Sequence, residues 1–146
     1  MSGFILDVNV LFSGVVSQKE IYKALFSDHA CYTPDFAMIE LNKYRQAILK
    51  KTKLKAEGLR DFTLFAFSKI SVVTDYIISD LSFAKAEALC KEIDPKDVAY
   101  VALAEELKMP LLTRDKPLHD GLKAQGFELV TMFDEFVQEL LQKETK

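Results

Sequence analysis

Gly3-Phe4-Ile5-Leu6-Asp7 is a short apolar run that stops at a carboxylate. Such a run, with no polar alternation, predicts a strand buried on both faces. The acid directly after it belongs at the strand's carboxyl end. Further apolar or β-branched runs, at 30–33, 70–74, 110–113 and 127–130, predict four more strands. Between them lie segments of helical periodicity. One covers 17–27, with Ile21, Ala24 and Leu25 on one face; one opens at Pro34 and runs to about residue 51; others cover 55–68, 79–92, 94–108 and 117–124, and a last one follows the final strand. The stretch 10–14 reads as a short turn. Short strands alternating with helices predict an α/β fold, a three-layer α/β/α sandwich around a central, mostly parallel sheet, in a single domain over residues 1–146. Ligands of such sheets bind beyond the carboxyl ends of the strands, where Asp7 and Asp115 both fall.

The chain has 146 residues and is 49% hydrophobic, with eleven Phe and five Tyr, enough for one sizeable core. Five Gly and four Pro leave little room for linkers. No apolar run approaches the ~20 residues of a membrane span, and the N-terminus has no basic region, so no signal peptide is expected. Cys31 and Cys90 lie in apolar settings and read as two buried thiols, which favours a cytoplasmic location. Net charge is −3, which excludes a generic polycation. The charge is nevertheless uneven. Residues 43–60 hold seven bases (Lys43, Arg45, Lys50, Lys51, Lys53, Lys55, Arg60) against one acid, while the remainder is acidic. That stretch reads either as a solvated helix end or as a surface for phosphate.

Glu40 lies on a helical stripe with Phe36, Ala37 and Tyr44, and Asp97 on one with Tyr100, Val101 and Ala104. A carboxylate on an apolar face is costly unless something compensates it. Taken singly, each acid has a structural role. Asp94-Pro95-Lys96-Asp97 fits a cap, a proline in the first turn and an acid near the helix dipole. Asp7 with Asn9, and Asp115, fit caps of the turns that follow them, and Glu40 fits a pair with Lys43 or Arg45. Taken together, two acids at strand ends and two on inward helix faces would converge. Carboxylates packed so closely repel unless a cation joins them, and all-oxygen sites suit Mg²⁺ or Mn²⁺. No glycine-rich phosphate loop is present, His29 and His119 are isolated, and Phe62, Phe65 and Phe67 read as core.

Four segments carry a family resemblance. Residues Phe4 to Gly14, with the apolar strand ending in Asp7-Val8-Asn9, resemble the opening of PIN-domain proteins. Met38-Ile39-Glu40-Leu41, Asp94-Pro95-Lys96-Asp97-Val98-Ala99 and Pro110-Leu111-Leu112-Thr113-Arg114-Asp115 resemble that family's later acidic segments, in the same order. The resemblance implies a Mg²⁺- or Mn²⁺-dependent endoribonuclease acting on RNA, similar to the VapC-like ribonucleases, many of which are toxins held by an antitoxin protein. It implies Asp7, Glu40, Asp97 and Asp115 as catalytic metal ligands. Asn9 would orient Asp7 and a water, Asp94 would be an accessory acid, and Thr113 would hydrogen-bond within the cluster. Arg114 would contact phosphate, and Lys43 and Arg45 would belong to a basic surface beside the pocket of a homodimer. The competing readings are an aspartyl-phosphate phosphatase, which wants a second acid where Asn9 stands; a receiver domain, which wants adjacent acids after the first strand; and a PIN-like scaffold that binds RNA or protein without cutting.

Overall fold

A computed structural model describes residues 3–52 and 55–144. Five strands, β1 (Gly3–Leu6), β2 (Ala30–Pro34), β3 (Ile70–Val73), β4 (Leu111–Thr113) and β5 (Val130–Met132), form one sheet in the order β3-β2-β1-β4-β5. Every pairing is parallel. The helices are α1 (Val8–Ser17), α2 (Glu20–Asp28), α3 (Phe36–Lys43), α4 (Arg45–Lys51), α5 (Ala56–Lys69), α6 (Asp80–Cys90), α7 (Val98–Leu107), α8 (Lys116–Ala124) and α9 (Phe133–Glu144). From β1 the chain steps outward through β2 to β3, then returns to the other side of β1 for β4 and β5. Right-handed crossovers in opposite directions place their helices on opposite faces. The order therefore reverses between β1 and β4, where a doubly wound sheet opens its binding crevice.

The core forms because the inner strands are mostly apolar, their buried threonines, Thr33 and Thr113, each donating a hydrogen bond. Ile5, Leu6, Leu111 and Leu112 have no exposed surface. α7 crosses β1, β2 and β4 with Tyr100 to Ala104 buried as a block. Burying such an aliphatic side chain stabilises the fold by roughly 1.5–3 kcal/mol. Phe62 is buried, and Phe65 and Phe67 pack against the same core. Cys31 and Cys90 are free and buried, each thiol pushed up to about 12 chiefly by burial.

Four local expectations are corrected. The stretch read as a turn at 10–14 is the middle of α1, a ten-residue helix rich in β-branched residues. Burial of Val8, Val10, Leu11 and Val15 outweighs their weak helix propensity. α1 ends at Gln18, in the left-handed region at φ 48°, so the next helix begins at Glu20 and not at 17. The single helix expected over 34–51 is two helices. Pro34 instead closes β2, opposite Val73, and Tyr44 breaks the helix with φ −90° and ψ 11°. The Tyr44 ring packs on Phe12 at 5.4 Å.

The last strand lies three residues beyond its expected start. Gly126 (φ 83°) caps α8: its amide donates to the Lys123 carbonyl at 3.0 Å, and the Phe127 amide donates to that of Leu122 at 3.0 Å. This is a Schellman cap, in which Phe127 supplies the apolar contact. Phe127 therefore belongs to the helix end, and the ladder begins at Val130.

Candidate active site

The reversal point is built from the ends of β1 and β4. The Asp7 amide extends the ladder by donating to the Leu112 carbonyl at 3.2 Å. The Asp7 side chain, only 3% exposed, caps α1. Thr113, fully buried at the end of β4, donates its hydroxyl to Asp7 Oδ2 at 2.7 Å and accepts the Asp115 amide at 3.0 Å. Asp115 Oδ1 in turn accepts the Leu118 amide at 3.1 Å, capping α8. The Asn9 side chain does not bond Asp7. Its Oδ1 accepts the Arg114 amide at 3.2 Å, which ties the turn after β1 to the turn after β4. Asn9 reaches Asp7 through its backbone amide, at 3.5 Å from Oδ1.

The other two acids come from helices. Asp97 sits at the start of α7, where the preceding 3-10 turn, Pro95–Asp97, is capped by Asp94 accepting the Lys96 amide at 3.0 Å. Glu40, on α3, accepts a 2.5 Å hydrogen bond from the hydroxyl of the buried Tyr100 of α7. The pairing of Glu40 with Lys43 or Arg45 is not found: no ion pair joins them among the described residues, and Tyr100 takes that place. Arg45 instead lines a groove of about 300 Å³ with Val15, Leu41 and Ile48. Lys43 is exposed at the end of α3. Neither base contacts the carboxylates among the described residues, and Lys53 lies outside the described residues. Asp94 is exposed.

These acids feel one another. Burial, then the charges of Asp7, Asp94, Asp115 and Glu40, hold the Asp97 carboxyl up at about 7. Burial also raises Asp7 to about 6. The hydrogen bonds from Thr113 and Asn9 pull it down, and the charges of Asp115 and Glu40 push it up. Burial, then the hydrogen bond with Glu40, raises the Tyr100 hydroxyl far above its ordinary range. Asp97 Oδ2 is buried and has no hydrogen-bond partner. A buried, unpartnered carboxylate oxygen among other carboxylates is what a hard cation would satisfy.

No three acidic side chains of the described residues close around one point as metal ligands. Their hydrogen bonds account for this: Glu40 is drawn to Tyr100, Asp115 to its own helix, and Asp94 to Lys96. Mutual repulsion favours that spread. The donors thus fit a hard divalent cation in chemistry and neighbourhood, though not in a closed coordination shell. Two residues passed over in the sequence matter here. Tyr100 holds Glu40, and its place three residues after Asp97 on the same stripe was its only signal. Tyr22 donates nothing to the acids but accepts from Arg114 Nη1 at 2.8 Å, a contact over 92 positions that no local pattern reveals.

A parallel sheet in this order, with acids gathered where the order reverses, defines an α/β protein with a carboxylate site at its switch point. The PIN-domain profile matches residues 5–138, and the chain belongs to the PIN-domain family. PIN domains are in general nucleases, and hence hydrolases, that use divalent metals. No curated protein matches the chain. No helix among the described residues is long and apolar enough to cross a membrane.

Proposed function

We propose that this protein is a Mg²⁺- or Mn²⁺-dependent endoribonuclease that hydrolyses RNA phosphodiester bonds. The observation that carries this reading is the buried, unpartnered Asp97 Oδ2, within electrostatic reach of Asp7, Glu40 and Asp115. Those four carboxylates would hold the cation, which when bound would supply Lewis acidity at the phosphate and a water acidic enough to attack near neutral pH. Thr113 keeps Asp7 oriented by its 2.7 Å hydrogen bond. Tyr100 holds Glu40, and Asn9 fixes the two turns that carry Asp7 and Asp115. Arg114, next to Asp115 in the chain, would meet the phosphate backbone. The two free buried thiols fit a reduced cytoplasmic setting.

A PIN scaffold that binds without cutting is the second reading. What favours it is that no three acids of the described residues already surround one point. Incubation of metal-stripped protein with a mixed RNA pool separates the two. The nuclease reading predicts cleavage that requires added Mn²⁺ or Mg²⁺, stops with EDTA and is absent from Asp97→Asn purified in parallel. Binding of RNA without metal-dependent cleavage selects the scaffold.

A further inference from the structure

A groove of about 220 Å³ opens between α1 and the start of α2, lined by Phe12, Ser13, Ser17, Lys19, Tyr22 and Arg114 among others. It adjoins the acids through Arg114, which follows Thr113 directly and whose amide is bonded to Asn9. Two features set this groove apart. First, the Arg114 guanidinium is fixed entirely by neutral groups. Nη1 donates to the Tyr22 hydroxyl at 2.8 Å, and the guanidinium carbon lies 5.5 Å from the centre of the Phe133 ring. Tyr22, 2% exposed, is itself stacked on Phe133 at 5.0 Å and 11°. The side chain is therefore anchored without an ion pair among the described residues, although Asp134 lines a second cleft beside it. Most of the five N–H donors of its planar fork stay uncommitted among the described residues.

Second, Lys19 has no carboxylate within ion-pair distance among the described residues, nor does Arg114. The neighbouring acid, Glu20, is paired with Lys23 at 3.2 Å. Lys19 precedes α2, whose N-terminal dipole adds positive potential there. No acid lines the groove. Two cations without an ion pair among the described residues, in one cleft of a net-acidic chain, suit an anionic ligand. The Ser13 and Ser17 hydroxyls add hydrogen-bond donors. The half-buried Phe12 ring, which packs on Tyr44 at 5.4 Å and has the Lys51 ammonium 5.6 Å from its centre, adds an aromatic surface, the usual partner of an unstacked base.

We propose that this groove is a subsite for single-stranded RNA, holding the nucleotide beside the scissile phosphate, with Arg114 and Lys19 on phosphate oxygens and Phe12 against a base. Its choice of ligand rests on the nuclease reading. Tyr22 is a positioning residue, since it acts through Arg114. The test is fluorescence-anisotropy binding of a short labelled single-stranded oligouridine in EDTA, over a range of salt, in the non-cleaving Asp97→Asn background. For single strands, log affinity falls with log salt by ~0.7 per phosphate contact. Lys19→Gln and Arg114→Gln should therefore each flatten that slope by ~0.7, and together by about twice that. Arg114→Lys should keep the slope while binding more weakly, because it keeps the charge and loses the fork. Tyr22→Phe should do the same through loss of the anchor. If neither Gln variant changes the slope, or the oligouridine does not bind, the subsite is overturned even where wild type cleaves RNA. If both Gln variants flatten the slope while wild type fails to cut RNA with metal, the subsite stands and the nuclease reading falls.

Discussion

Replacing Asp97 by Asn should make the metal-free protein more stable, although the residue is proposed to be essential. The folded state holds this carboxyl at about 7, against an ordinary value of 3.8. Ionising it in the folded chain is thus harder than in the unfolded chain. Well below pH 3.8 both states are protonated and there is no penalty. The penalty grows as pH rises between the two values and is complete above about 7. A difference of roughly three units corresponds to a ceiling of about 4 kcal/mol at 1.36 kcal/mol per unit. Asp97 keeps some solvent contact and shares its titration with Asp7, so about 1–2 kcal/mol is the working figure. Asn keeps the shape and removes the charge, and its amide can donate to neighbouring carboxylates. At ~2–4 °C per kcal/mol for a chain of this size, Tm in EDTA at pH 8.5 should rise by roughly 2–8 °C. At pH 5 the gain should shrink to less than half. Thermal unfolding followed by circular dichroism at both pH values measures it. A variant less stable than wild type at pH 8.5, or a difference independent of pH, would refute the electrostatic account of the cluster.

Other changes have distinct expected signatures. Thr113→Val removes the donor to Asp7 Oδ2 and the acceptor of the Asp115 amide, both in a buried setting. It should cost about 1–3 kcal/mol in urea unfolding. Tyr100→Phe removes the hydroxyl that holds Glu40. It should change stability by ~1 kcal/mol or less and weaken Mn²⁺ binding by roughly 10–100-fold in a calorimetric titration, as losing the support of a ligand does. Gly126→Ala meets open space but has φ 83°. Strain alone should destabilise it by about 1 kcal/mol in chemical denaturation, with metal binding untouched.

The buried strands of the fold were legible because they were short, apolar and uninterrupted, as in Ile5-Leu6 and Leu111-Leu112. The acids at their ends followed from the same reading. Errors fell where tertiary packing overrode local preference. α1 looks like a turn because Val8, Val10, Gly14, Val15 and Val16 are poor helix formers, and burial of all but Val16 against neighbouring helices and β4 offsets this. The Tyr44 break goes with a contact to Phe12 that no window of residues contains, whereas the Gly126–Phe127 cap lies within residues 122–127 and its signal is the glycine at the helix end. At the site, the parallel α/β pattern put Asp7 and Asp115 at the same sheet edge, but the adjacency of β1 and β4, which brings Thr113 onto Asp7, comes from the crossover in the strand order. The Tyr100–Glu40 and Arg114–Tyr22 bonds join elements far apart in the chain, and periodicity shows only that Tyr100 shares a stripe with Asp97. Asp7, Asp94 and Asp115 also turned out to be helix caps. A carboxylate that caps a helix can sit in an acidic cluster as well, because the helix starts lie at the carboxyl edge of the sheet.

The most direct test of the central claim, that these four carboxylates hold a divalent cation, is the shift in Tm on adding Mn²⁺ at pH 8 to wild type and to Asp97→Asn. A cation at ~100 times its dissociation constant adds about 2.7 kcal/mol, which for this chain is roughly 5–10 °C. The account predicts a shift of that size in wild type and little or none in Asp97→Asn. An equal shift in both proteins, or none in wild type, would contradict it.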